Sequence, residues 1–367
     1  MTSCGGRCQH STAGHARRGP SGAKYLIVSA GAPALAPFVA RTEAGQRSGL
    51  SKSPRWLKIL YPKGILMTDT LRYDGRVAIV TGAGGGLGRA HALMLASRGA
   101  RVLVNDLGSS AAGAGADSGP AAKVVEEIRA AGGEAVANTD SVIDGSRLVE
   151  AALDHFGQVD IIVNNAGFLR DVGFHKMTEQ DWSDLYDVHM LGAFRIVHAA
   201  WPRLRNQSYG RIINTSSAAG IYGNFGQVNY GTFKLALHGF TQALAVEGRA
   251  RNIHVNSIAP AADSRLTRTV MTPEQLAPMR AELVSPLVGW LTHETCSETG
   301  GLFEVGGGWV SKLRWQRSRG ERIGGGEDFA PEQVRDAWPT IIDFADAEAP
   351  GDFAEGMAPF QKIMEGA

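Results

Sequence analysis

A serine, a tyrosine and a lysine near the middle of this 367-residue sequence have the types and spacing for proton transfer at an alcohol or ketone. Tyr230 and Lys234 stand four residues apart in Tyr230-Gly231-Thr232-Phe233-Lys234, and Ser217 precedes Tyr230 by thirteen. On a helix that spacing puts the phenol and the amine on one face. A phenol titrates near pH ~10, so it acts as a base at neutral pH only with help, which a nearby lysine supplies. A serine hydroxyl can hold the substrate oxygen while its charge changes. An isolated Tyr-x3-Lys pair is as readily a solvated helix face. Far upstream, however, Thr81-Gly82-Ala83-Gly84-Gly85-Gly86-Leu87-Gly88 follows the apolar run Val77-Ala78-Ile79-Val80 at once. A glycine-rich turn between a strand and a helix offers backbone N–H groups to a dinucleotide pyrophosphate. The two features together supply both halves of a hydride transfer.

The turn predicts a cofactor cradle in which Gly82 permits the tight turn, Gly86 lets the pyrophosphate approach, and Gly88 lets the helix pack closely. Thr81 and Leu87 flank it. Asp106 closes the second apolar run, where a carboxylate accepts from adenosine ribose hydroxyls and repels a 2′-phosphate. No arginine occupies positions 105 to 110, so NAD is expected over NADP. A turn-capping role for Asp106 is the plainer alternative. Asp140, with Ser141 and Val142, falls where the adenine would lie, although Asp140 could equally cap a turn or helix. Asn164-Asn165-Ala166-Gly167 places small residues and amides at a strand's carboxyl end, so Asn165, Ala166 and Gly167 join the cofactor set.

The elements that must hold these residues alternate between strand-like and helical patterns, the mark of βαβ units. Strands are expected at Val77–Val80, Val102–Asn105, Ala135–Thr139, Ile161–Asn164, Arg211–Asn214, Ile253–Ile258 and Leu302–Val305. Helices are expected at Gly88–Arg98, Ala121–Ala131, Ser146–Phe156, about Glu179–Leu204 and about Asn229–Arg249. The fold class is α/β: one Rossmann-type doubly wound parallel sheet of about seven strands, with helices on both faces. Residues 259–291 are expected to form a mobile substrate lid, and the chain after Trp309 a polar tail with a weak helix over Pro331–Phe344.

Composition narrows the class further. Lys+Arg total 37 and Asp+Glu 36, which leaves no excess charge to draw the chain to nucleic acid or an anionic membrane. Three cysteines make no disulfide framework at this length, and a reducing, cytoplasmic setting is expected. Residues 1–66 read differently from the rest, rich in Arg, Ser, Gly and Pro. Arg17-Arg18 before the run Tyr25–Ala40 looks like an export signal, but Pro33 and Pro37 interrupt it and it is too short to span a bilayer. A basic transit peptide, or a zinc site from Cys4, Cys8, His10 and His15, are weaker readings. The preferred one is a disordered or mis-assigned extension, with translation starting at Met67. The expected organisation is 1–66 extension, 67–310 dehydrogenase domain and 311–367 tail.

The glycine turn, the Asn-Asn-Ala-Gly segment, Ser217 and Tyr230-x3-Lys234 resemble the short-chain dehydrogenase/reductase family over nearly all of Leu71 to Val310. Further stretches are similar to one branch, the (3R)-hydroxyacyl-CoA dehydrogenase part of the peroxisomal D-bifunctional (multifunctional type 2) enzyme. They are Val104–Gly108, Val124–Arg129, Gly220–Gln227, Gly300–Val305 and Lys312–Trp315. The resemblance implies Tyr230 as general base, Lys234 as holder of the nicotinamide ribose, and Ser217 as the residue that positions the substrate oxygen. It implies an acyl-CoA substrate, a homodimer or homotetramer, and a separate enoyl-CoA hydratase in the same pathway. The family's fourth catalytic position, usually Asn, is His189 here, as it tends to be in that branch. A structural role for His189 is put ahead of proton relay. The usual Pro-Gly after the sixth strand reads Pro260-Ala261. A hydroxysteroid or other bulky alcohol is the alternative substrate, and an NAD-binding protein without turnover the alternative of a different class.

Overall fold

The computed structural model describes residues 70–109, 113, 115, 117–263, 272–324 and 329–365. The readings of residues 1–66, including the cysteine and histidine cluster and the choice of start, lie outside them.

Eight strands form one sheet in the order β3-β2-β1-β4-β5-β6-β7-β8. They are β1 (Val77–Thr81), β2 (Arg101–Asn105), β3 (Glu134–Asn138), β4 (Ile161–Asn164), β5 (Gly210–Thr215), β6 (Ile253–Pro260), β7 (Leu302–Gly306) and β8 (Trp309–Leu313). All pairings are parallel except β7 with β8. β1 is buried at every residue, as a strand covered on both faces must be. Its alternation splits the core. Ala78 and Val80 face a layer with Leu95, Val124, Ile128 and Leu291. Val77 and Ile79 face another with Leu148, Ile196, Leu204 and Ile212. Each of the Val, Ile and Leu side chains among them stabilises the fold by about 1.5–3 kcal/mol through burial.

The first layer packs under helices α1 (Gly86–Ser97), α2 (Gly119–Ala130) and α9 (Ser285–Thr292); the second packs under α3 (Gly145–Phe156), α5 (Gly192–Gln207) and α7 (Val228–Gly248). The chain runs outward from β1 through β2 to β3, then returns to place β4 on β1's other side. That reversal opens a crevice beyond the carboxyl ends of β1 and β4.

The structure corrects the sequence reading in four places. The expected long helix from Glu179 is three pieces: α4 (Glu179–Leu185), a π-helical stretch Tyr186–Leu191, and α5. The eighth strand was missed because its signal lies in the turn. Gly307 and Gly308 both take positive φ, 56° and 86°, as a two-residue hairpin turn requires. The expected lid is too long. β6 continues to Pro260, α8 (Pro273–Leu276) is a single helical turn, and α9 carries buried Leu287, Val288 and Leu291 into the core under α1. Finally, the tail holds two helices, α10 (Pro331–Ile341) and α11 (Phe353–Met364), held by the segment before them: Ser318 Oγ donates to Ile341 O at 2.6 Å and Arg317 to Gly356 O at 2.7 Å. Among the described residues, no helix is long and apolar enough to cross a membrane.

Candidate active site

β1 delivers the chain into the glycine turn, and α1 starts at Gly86 with Gly85 as its extended N-cap and no side-chain cap. Its first N–H groups are therefore left for a ligand. A Cβ at Gly88 would overlap the Gly82 carbonyl oxygen, so α1 sits against the backbone of the turn itself. Thr81 organises this junction from beneath. Its hydroxyl oxygen accepts from Asn165 N and Ala166 N, both at 3.0 Å, and joins β1 to the segment after β4.

The candidate proton-transfer residues sit after β5 and on α7. Ser217 follows β5 in extended conformation and caps the short helix α6 (Ala218–Tyr222), its Oγ accepting from Ala219 N at 3.2 Å. α6 crosses α7 with almost no side chain between them: a Cβ at Gly231 would lie 2.8 Å from Ala219 O. That close crossing sets Tyr230 beside Ser217. Lys234, 4% exposed, donates from Nζ to Thr215 O at 2.7 Å, and its Nζ lies 5.5 Å from the Tyr230 ring centre.

The electrostatics differ from the simple expectation that Lys234 lowers the phenol. Burial pushes the Tyr230 phenol up; a hydrogen bond with Ser217 opposes this, and the Asp171 carboxylate adds to it. Lys234 is itself pushed down from 10.5 to about 7 by burial. The dry surroundings that would strengthen the attraction also penalise the ammonium. His189 sits on the π-helical stretch, 3% exposed, with Nε2 3.0 Å from the Phe168 carbonyl oxygen and its ring edge-on to Tyr230. Burial, with the Lys234 charge, holds it well below the usual imidazole value, so the ring is neutral. Its Nδ1 has no partner among the described residues.

A cleft of about 500 Å³ joins these groups, lined by Gly82, Gly86, Leu87, Asn165, Ala166, Gly167, His189, Ser217, Tyr230 and Lys234. Thr81, Gly88, Asp106, Asp140, Ser141 and Val142 do not line it. Asp106 spans the turn region instead, accepting from Gly84 N at 2.8 Å and Gly108 N at 2.7 Å. Asp140 accepts from Asn138 Nδ2 at 2.8 Å, Ser141 caps the turn that follows, and Val142 is buried beneath α5. The sequence reading gave no role to Leu169, Asp171, Asn224, Phe225 and Gln227, which also line the cleft. The resemblance had marked out the stretch 220–227, which holds three of them.

The cradle suits a dinucleotide: a Cβ at Gly85 would meet nothing, and the uncapped α1 amides open onto the cleft. Comparison with known proteins agrees. Residues 76–276 match the family model for short chain dehydrogenases. The chain is 52% identical over 299 residues to mouse peroxisomal multifunctional enzyme type 2, covering 81% of this chain and 41% of that protein. The full-length peroxisomal multifunctional enzyme type 2 from Drosophila melanogaster superposes with TM-score 0.69 at 41% identity, covering 80% of this chain and 50% of that one. A 7α-hydroxysteroid dehydrogenase solved with NADH and 7-oxo glycochenodeoxycholic acid superposes with TM-score 0.59 at 30% identity, covering 66% and 98%. The chain thus spans half or less of the two multifunctional enzymes. With its switch-point crevice, glycine cradle and Ser–Tyr–Lys group, it belongs to the short-chain dehydrogenase family, and it is an oxidoreductase that uses a nicotinamide dinucleotide.

Proposed function

We propose that this chain interconverts (3R)-3-hydroxyacyl-CoA and 3-oxoacyl-CoA with NAD. The observation that carries the proposal is the convergence of Ser217, Tyr230 and Lys234 on the cleft, at the mouth of the glycine cradle. The relatedness to multifunctional enzymes type 2 supports the substrate class. When bound, the nicotinamide supplies the hydride acceptor. Ser217, its oxygen fixed by Ala219 N–H, turns its hydroxyl proton from Tyr230 to the substrate oxygen. Tyr230 takes the hydroxyl proton. Lys234 holds the ribose and, once charged, favours the phenolate. His189, neutral and bonded to the Phe168 backbone, holds the loop after β4 against α7, a positioning role. Preference for NAD rests on the Asp106 carboxylate at the end of β2.

A bulky secondary alcohol such as a hydroxysteroid is a second reading, favoured by the cleft volume and by the likeness to the hydroxysteroid enzyme. We place the enzyme in the cytoplasm from its cysteine content, and as a homodimer or homotetramer. The outer faces of α5 and α7, with Phe194 42% and Val246 69% exposed, are the contact surfaces in this reading. NAD reduction measured over a panel of short to long (3R)-hydroxyacyl-CoAs and hydroxysteroids tests the substrate. Turnover of steroids alone would overturn the first reading. Light scattering showing only monomer at micromolar concentration would refute the assembly.

A further inference from the structure

Two loops close the substrate end of the cleft, and polar contacts join them. Val172 N donates to Gly226 O at 2.8 Å, linking the loop after β4 to the loop after α6. Beside it, Gln227 Nε2 donates to both Asp171 oxygens at 3.0 Å, and Gln227 Oε1 accepts from Asn224 Nδ2 at 2.9 Å. Asp171, Asn224 and Gln227 line the cleft together with Ser217 and Tyr230.

The charge of Asp171 is not neutralised there. Its partner among the described residues, Gln227, is neutral. The neighbouring Arg170 is committed to Asp184 at 3.2 Å and lies 5.5 Å over the Phe168 ring. Lys234, the basic side chain among the described lining residues, is buried under Tyr230 and bonded to Thr215. The Asp171 charge also reaches the reacting group, since it is among the influences on the Tyr230 phenol.

Resting on the substrate reading above, we propose that Asp171, oriented by Gln227, is a charge filter that selects for a neutral acyl group. In a 3-hydroxyacyl substrate the carboxyl carbon lies only two bonds from the carbinol carbon. A carbinol held by Ser217 and Tyr230 therefore brings the carboxyl end into the field of Asp171. As a thioester that end is neutral and enters. As a free 3-hydroxy or 3-oxo acid it carries a like charge, and because Asp171 is exposed to solvent that repulsion weakens binding by about threefold to tenfold. Gln227, donating to both Asp171 oxygens, holds that carboxylate at the cleft. The cleft thereby distinguishes activated acyl groups from their hydrolysis products.

The test is binding to the enzyme–NADH complex, followed by NADH fluorescence, of acetoacetate against its neutral methyl ester. Wild type is expected to favour the ester by about threefold to tenfold. Asp171→Asn, which keeps an oxygen for Gln227, should bring that preference close to parity. In wild type alone, raising the salt to about 1 M should narrow it several-fold by screening, so the proposal stays testable if the variant does not fold. A preference unmoved by either change overturns the filter. Wild type that shows the filter but oxidises no 3-hydroxyacyl-CoA overturns the substrate reading instead.

Discussion

Lowering the pH from about 7.5 to about 5 should cost the folded chain about 2 kcal/mol through His91 alone. His91 is wholly buried in α1, with Nδ1 2.9 Å from Ser285 Oγ at the start of α9. Its Nε2 has no partner among the described residues, so a proton there has nowhere to be shared. Burial moves its pKa from 6.5 to about 3. The folded value lies below the unfolded one, so the unfolded chain takes up the proton first. The contribution is complete above pH ~6.5 and is lost as the pH falls toward 3. At about 1.36 kcal/mol per unit, the whole shift sets a ceiling of about 5 kcal/mol, of which about 2 is lost by pH ~5.

His91→Asn keeps a polar atom near Ser285 and cannot take the proton. It lowers stability at pH ~7.5 through lost packing, but it should reduce the loss between the two pH values by about 2 kcal/mol. Urea unfolding at both pH values and one ionic strength gives the comparison. His189, His238 and His254 also have depressed values, and they remain in both proteins, so the difference between the two losses isolates His91. An equal loss in both proteins would refute the argument.

Tyr230→Phe should lower turnover by at least 10²–10⁴-fold while NAD still binds, because only the proton acceptor is lost; a variant keeping more than about a tenth of the rate rejects it as the base. Asp106→Ser should move the NAD/NADP ratio of kcat/KM toward NADP by about 10²-fold, and should also soften the turn, because two N–H partners at 2.8 and 2.7 Å are lost. An unmoved ratio means that another group reads the ribose. Gly88→Ala drives a methyl group into the Gly82 carbonyl and should cost about 1–3 kcal/mol of stability and weaken the cofactor Kd about tenfold; calorimetry reads both, and an unchanged Kd denies the close packing.

Much of the site was legible before folding, because its signals are local. An apolar run that ends in glycines specifies a strand, a tight turn and an uncapped helix start within one short stretch. Tyr230 and Lys234 share a helix face whatever surrounds them, and alternation in β1 fixes which side chains meet which layer. The sheet order decided the rest. Helical periodicity does not reveal the π-helical stretch that carries His189, since the pattern of apolar residues continues through it. Asp106 was expected to face a ribose; what the fold gives it is two backbone donors from the neighbouring loops. Thr81 read as a flank of the cradle, yet it is the acceptor that secures the segment after β4. Asp171 and Gln227 are 56 residues apart and meet because β5 lies beside β4, which brings their following loops to one end of the cleft. A contact between separate loops has no period and no fixed spacing. Its partners become neighbours only when the sheet is assembled, so the sequence supplied the chemical groups and the tertiary structure decided which of them share a charge, a proton or a substrate.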